Sequence, residues 1–252
     1  MKITILGSAS GVAVPQRNAS AYLLEMNHRS YLIDAGEGVA QQLVRYRTDQ
    51  NQITCIFISH THTDHVSGLF PLLQLMNLTG RKELLKIYIP QGLLPGFESI
   101  FPYFQIFRNK WPFQFELYPI GPGPVYQENG FRLSAIRNGH LSGNRQMANK
   151  EGIDCDSYSF RFYEKKENEV IYTSDVDSLS HLNITPGKVQ ILISECTHIR
   201  VEDIIDFAFN AGVSRVIFTH IPPEMEEKAI PEQRKLQHLN LIFAKDGMVV
   251  EV

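Results

Sequence analysis

Between Ile58 and Gly68 the chain reads ISHTHTDHVSG, placing His60, His62, Asp64 and His65 within six positions. Imidazole nitrogens and carboxylate oxygens at that density are the ligand set that suits zinc, manganese or iron. His60 and His62, two apart, can both reach one ion from a strand-end loop, while Asp64 and His65 aim at a second position close by. Such a site needs further ligands. The chain offers His140 in RNGHLSGN, Asp175 in IYTSDVD and His220 in VIFTHIPP. Each follows an apolar run, which is where a sheet delivers a polar side chain to a shared edge.

The elements around these residues read as sheets with helices between them. KITIL, AYLLEM, RSYLIDA and CIFIS are short β-rich runs separated by Gly, Asn and Ser. Helical spacing follows at about 37–47, with Val39, Leu43 and Tyr46 on one face, and again at about 66–78. LLKIYIP, FQFELYPI, GFRLSAIR, SYSFRFYE, EVIYTSD, VQILISE, SRVIFTH and GMVVEV are further strands, with EKKENE at 164–169 as a solvated hairpin end. A helix over 201–211 carries Val201, Ile204, Ile205, Ala208 and Phe209 at helical spacing and stops before Gly212. The aromatics of 91–108 follow no period and are expected to pack locally. There is no internal repeat at a fixed period.

A chain of 252 residues, 43% hydrophobic and 20% charged, can bury one large core, and a single domain over 1–252 fits best. Its net charge of −3 supplies no basic field that would by itself advertise a nucleic-acid surface. Cys55, Cys155 and Cys196 form no CxxC pair. They are expected as small core residues in a reducing, cytoplasmic setting. The N-terminus lacks the apolar core of a leader, and no apolar run is long enough for a membrane span.

The His-x-His-x-Asp-His pattern of His60, His62, Asp64 and His65 resembles the metallo-β-lactamase superfamily. The segments Leu6-Gly7-Ser8, Arg17-Asn18-Ala19-Ser20 and Asp34-Ala35-Gly36-Glu37-Gly38, with Gln42-Leu43 and Gly68-Leu69, are similar to its ribonuclease Z branch. The resemblance thins over about 90–135 and returns at His140, Asp175, Glu195, His198 and His220.

It implies an α/β fold, the four-layer αβ/βα sandwich with two mixed sheets and helices outside. It also implies two divalent ions, zinc first, with manganese or iron as alternatives. His60, His62 and His140 would hold one, Asp64, His65 and His220 the other, and Asp175 would bridge, with Asp64, His198 and Glu195 counted as catalytic. The ions would turn a bridging water into hydroxide for in-line attack on a phosphodiester. His198, steadied by Glu195, would protonate the leaving oxygen, and Asp34 would orient metal ligands. Arg17 and Asn18 are expected to contact a phosphate, the alternative being that they only stabilise the loop around Pro15. His28, His181 and His238 are expected on the surface.

Three departures bear on the substrate. His140 and Asp175 are only 35 positions apart, too close for the transfer-RNA-gripping arm of the short bacterial ribonucleases Z. Ile221-Pro222-Pro223 and the short SECTH segment also differ from that family. An RNA 3′ end therefore competes with a small or cyclic phosphodiester. The other enzymatic reading is a thioester, lactone or β-lactam hydrolase; a third is a non-catalytic metal-binding module, disfavoured because all seven ligands are present. A homodimer is compatible with an apolar patch at 97–113.

Overall fold

The computed structural model describes residues 1–164, 168–225 and 239–252. Its strands are β1 (Lys2–Gly7), β2 (Ala21–Met26), β3 (Arg29–Ile33), β4 (Ile53–Phe57), β5 (Leu85–Pro90), β6 (Phe115–Ile120), β7 (Gly123–Glu128), β8 (Phe131–Arg137), β9 (Tyr158–Tyr163), β10 (Glu169–Tyr172), β11 (Val189–Glu195), β12 (Arg215–Thr219), β13 (Asn240–Phe243) and β14 (Val249–Glu251). The α-helices are α1 (Val39–Arg45), α2 (Thr63–Val66), α3 (Leu69–Leu78), α4 (Leu94–Ile100), α5 (Arg145–Glu151) and α6 (Val201–Asn210). No helix among the described residues is long and apolar enough to cross a membrane.

The strands form two seven-stranded sheets, β14-β1-β2-β3-β4-β5-β6 and β13-β12-β11-β10-β9-β8-β7. Each is antiparallel in one half and parallel in the other, the change falling at β3 in the first and β10 in the second. A parallel pair needs a crossover, and helices such as α3 and α6 supply it on the outer faces.

Three apolar layers result. Ile5, Tyr22, Tyr31, Phe57, Phe131, Tyr158 and Phe160 fill the space between the sheets. Leu43, Leu69, Leu72, Leu73 and Met76 seat α1 and α3 on the first sheet, and Ile204, Ile205 and Ala208 seat α6 on the second. This is the four-layer αβ/βα sandwich expected from the sequence.

Several local expectations are corrected. The helix expected at 66–78 is two helices, α2 and α3, broken at Ser67-Gly68. Gly68 occupies the break because an added Cβ would stand 2.0 Å from the Gly36 carbonyl oxygen. Strands β7 and β13 and helix α5 escaped sequence reading. Phe209 is exposed although it falls at apolar spacing, and Cys155 is only half-buried, whereas Cys55 and Cys196 are core residues. In 97–113, Phe101 and Phe113 are buried while Tyr103 and Phe104 are exposed. β9 and β10 pair antiparallel as the hairpin at 164–169 requires, although 165–167 lie outside the described residues.

Candidate metal centre

All seven expected ligands converge at the C-terminal ends of strands from both sheets. After β4 the chain turns through His60 and His62 into α2, which carries Asp64 and His65; His140 follows β8, Asp175 follows β10, and His220 follows β12 directly. The backbone reverses sharply there. Asp34 (φ 56°), Ser174 (φ 52°) and His220 (φ 50°) are left-handed, a strained geometry for residues other than glycine that clusters at functional sites.

The ligand atoms form two sets that share Asp175: His60, His62, His140 and Asp175, and Asp64, His65, Asp175 and His220. In the first, His140 Nε2 lies 3.2 Å from His62 Nδ1 and 3.6 Å from Asp175 Oδ2, and His60 Nε2 lies 3.8 Å from the same oxygen. In the second, His220 Nε2 is 3.1 Å from Asp64 Oδ2 and 3.4 Å from Asp175 Oδ1, and His65 Nε2 is 3.2 Å from Asp175 Oδ1. Ligands about 2.0–2.2 Å from a tetrahedral ion stand roughly 3.3–3.6 Å from one another, so both sets have the dimensions of a cation cage. His60 Nε2, His65 Nε2 and Asp175 Oδ1 are buried without a hydrogen-bond partner, which an ion would supply.

Hydrogen bonds to the far ring nitrogens fix which nitrogen faces each set. Asp34 Oδ2 lies 2.8 Å from His65 Nδ1 and accepts its proton, so that Nε2 is the nitrogen that faces the ligand set. Asp34 also accepts from the Ser59 amide, the Ser59 hydroxyl and Tyr172 Oη. With its proton given to Asp34, the Ser59 hydroxyl accepts from His60 Nδ1 at 3.1 Å. Thr197 Oγ1 donates to the His220 carbonyl at 2.6 Å and so accepts from His220 Nδ1 at 3.1 Å. Asn138, buried, donates to the Asp175 carbonyl and accepts from the His140 amide, tying two ligand-bearing loops together. Asn138, Tyr172 and Thr197 were not singled out in the sequence, nor was Ser59 for this role; each has a partner more than 20 positions away, Asp34 for Ser59 and Tyr172, Asp175 for Asn138 and His220 for Thr197.

The charge states suit ligation. Burial, then the neighbouring His65, pushes His60 well below the ordinary histidine value; burial lowers His62 and brings His140 down to about 4. These three rings are neutral at pH 7. Burial opposes ionisation of Asp175, but His65 and His220 override it and hold the carboxyl well below its usual range. Asp64 is lowered against burial by its hydrogen bond to His220 and the charge of His65. His65 is the exception: burial opposes its charge, but Asp175 and Asp34 flank the ring and raise it well above its ordinary value, so an ion at Nε2 would have to displace a proton.

Beside the two sets stands His198, half-exposed, its Nδ1 3.3 Å from Oε1 of the fully buried Glu195. Glu195 Oε2 accepts from the Thr197 and His198 amides. The hydrogen bond to Glu195 raises the His198 pKa, with burial opposing. The His198 ring packs edge-on against His140 with centroids 4.8 Å apart, so it borders the candidate site.

Arg17 and Asn18 line a cavity beside Asp64. Arg17 donates to Ser8 Oγ and the Ala244 carbonyl, and Asn18 donates to Asp246, so both stabilise the loop around Pro15. His28 is exposed, and exposed His181 pairs with Asp177 at 3.0 Å; His238 lies outside the described residues.

The family model described as Anti-Pycsar protein Apyc1 matches residues 1–204. Ribonuclease Z of Rippkaea orientalis is 37% identical over 191 residues, covering 75% of this chain, and the chain spans only 55% of that protein. Among solved structures, human tRNase Z, short form, is similar with a TM-score of 0.76 at 22% identity, over 100% of this chain and 99% of that one. The metallo-β-lactamase fold protein YhfI from Bacillus subtilis gives 0.76 at 21%, over the same shares of the two chains. The chain, similar in sequence to ribonuclease Z and folded like the metallo-β-lactamase fold protein YhfI, thus belongs to the Anti-Pycsar protein Apyc1 family.

Proposed function

We propose that the protein is a metal-dependent phosphodiesterase that uses two divalent ions, zinc first, in a single domain and acts in the cytoplasm. The observation that carries this reading is the pair of ligand sets sharing Asp175, with the Glu195-supported His198 at their edge. Two ions held there would supply the Lewis acidity that activates water and neutralises charge on a phosphoryl group.

The chain's own residues do the rest. Asp34, Ser59 and Thr197 hold the rings of His65, His60 and His220 by Nδ1, so that Nε2 of each would serve as the ligand atom for an ion. His198, kept protonated by Glu195, donates a proton from Nε2 to the departing alkoxide oxygen. Among the described residues, the short span between His140 and Asp175 holds α5, β9 and β10 with short connections, which favours a small or cyclic phosphodiester over a large RNA gripped by an arm.

The test is hydrolysis of bis(p-nitrophenyl) phosphate by zinc- or manganese-loaded protein beside a thioester and a lactone, with Asp175→Ala as control. A diester rate that disappears in the control is expected. A thioester or lactone rate without a diester rate would overturn the reading.

A further inference from the structure

Phe57, Phe131 and Phe160 fill the space between the sheets with carbon alone, whereas a tyrosine in that layer buries a hydroxyl that costs free energy unless it is bonded. Tyr22 and Tyr172, both buried, lie there with ring centroids 4.6 Å apart. They come from opposite sheets, Tyr22 from β2 and Tyr172 from β10, and each hydroxyl reaches a residue at a strand end of the other sheet. Tyr172 Oη donates to Asp34 Oδ2 at 2.9 Å, and Tyr22 Oη shares a hydrogen bond of 2.6 Å with Thr219 Oγ1. Burial raises the pKa of both phenols, so the hydroxyls keep their protons.

Both bonds end one step from a ligand of the second set. Asp34 Oδ2 also accepts from His65 Nδ1, and Thr219 precedes His220 in the chain. The other donors to Asp34, Ser59 and His65, follow β4 of the first sheet, and Tyr172 is the one that comes from the second sheet among the described residues. Strand β10 leads on to Asp175, whose Oδ1 stands 3.2 Å from His65 Nε2. The His65 ring is therefore referred to β10 at both nitrogens, through Asp34 and Tyr172 at one and toward Asp175 at the other. Tyr22 is paired with Ile33, the neighbour of Asp34, and so ties the turn that bears His220 to the strands that carry Asp34. The first set takes its orientation from other groups, Ser59 on His60 Nδ1 and Asn138 on the His140 amide.

Resting on the two-ion reading above, we infer that the hydroxyls of Tyr22 and Tyr172 are positioning groups for the second ion, the one that Asp64, His65, Asp175 and His220 would hold, and that they set its affinity separately from that of the first. Removing a group that orients a ligand changes metal affinity by roughly 10–100-fold, and a group one contact further away acts more weakly.

Tyr22→Phe and Tyr172→Phe keep the rings and remove the hydroxyls. Each is combined with His62→Ala, which leaves the second set whole, and with Asp64→Ala, which leaves the first set whole. Zinc binding is read by competition with a chromophoric chelator of known affinity. The zinc dissociation constant should rise by roughly three- to tenfold in the His62→Ala background and change by less than about twofold in the Asp64→Ala background. Tyr158→Phe is the control for a merely structural loss, because Tyr158 is equally buried and its hydroxyl goes to Asp156, which is in neither ligand set. It should lower the thermal midpoint while leaving both constants in place.

A second measurement needs no altered ligand. Dialysis of zinc-loaded protein against increasing chelator should strip one of two ions from Tyr22→Phe and Tyr172→Phe before the wild type loses either. A wild type that takes up fewer than two ions would defeat the two-ion reading and this inference with it. Two ions in the wild type, with the two constants moved equally by the tyrosine substitutions or not moved at all, would overturn the positioning role alone.

Discussion

Asn18 gives both its backbone amide, at 2.7 Å, and its side-chain amide, at 3.0 Å, to one oxygen of Asp246. The same oxygen accepts from Gln42 Nε2 at 2.9 Å, and the other accepts from the Ser8 amide and hydroxyl. One carboxylate from the turn before β14 thus fastens the ends of the Ser8–Asn18 loop to α1. Asp246→Asn keeps the shape but sets an NH₂ group against donors whichever way it turns. The expected cost is about 1–3 kcal/mol, read as a fall of several degrees in the thermal midpoint. An unchanged midpoint would mean that solvent replaces these bonds without loss.

Gly36 separates steric necessity from mere glycine. An added Cβ there would stand 2.2 Å from the Asp64 carbonyl oxygen, backbone that cannot step aside without moving a ligand-bearing helix. Gly36→Ala is expected to lower stability by roughly 3 kcal/mol or more and to reduce metal content. Gly96, in α4 with nothing within 4 Å, is the control. Gly96→Ala should be neutral or stabilising by up to about 1 kcal/mol. Equal losses in the two variants would refute the steric account.

Asp175 and His198 should separate by metal content. Asp175→Ala removes the carboxylate common to both ligand sets, so metal measured by mass spectrometry should fall at both positions and activity should vanish. His198→Ala should retain its metal and slow diester hydrolysis by roughly 10²–10⁴. Equal metal loss in both variants would remove the proton-donor role.

A pH profile tests the Glu195–His198 pair. His198 Nδ1 gives its proton to Glu195 Oε1, and that contact raises the His198 pKa, so the ring stays protonated above the ordinary histidine value. A proton donor works while protonated, hence the rate should fall as pH rises through that raised pKa. Glu195→Gln removes the charge and should shift this limb to lower pH. A limb that stays in place would show that another group controls it.

What could be read from the sequence divides by range. The convergence of the candidate ligands was legible because residues such as His60, His62, Asp64 and His65 crowd into one turn and the others follow apolar runs that are strands. The central strands were legible for the same reason, being continuous apolar runs. Edge strands β7 and β13 were not: GPVYQE carries a proline, a glycine and polar residues, and β13 is paired on one side only. The split between α2 and α3 depends on a backbone contact across the fold, Gly68 against Gly36, and the roles of Arg17 and Asn18 on Ala244 and Asp246, more than 200 positions away. Local pattern carries no trace of either.

The two sheets repeat one plan, three antiparallel pairings followed by three parallel ones. His60, His62, Asp64 and His65 come from one repeat and His140, Asp175 and His220 from the other. The candidate metal centre is therefore a rivet through two plates. Any slip of one sheet over the other along the Tyr22, Phe57 and Phe160 layer would pull both ligand sets apart together, so the packing between the sheets sets the accuracy of the chemistry at their rim.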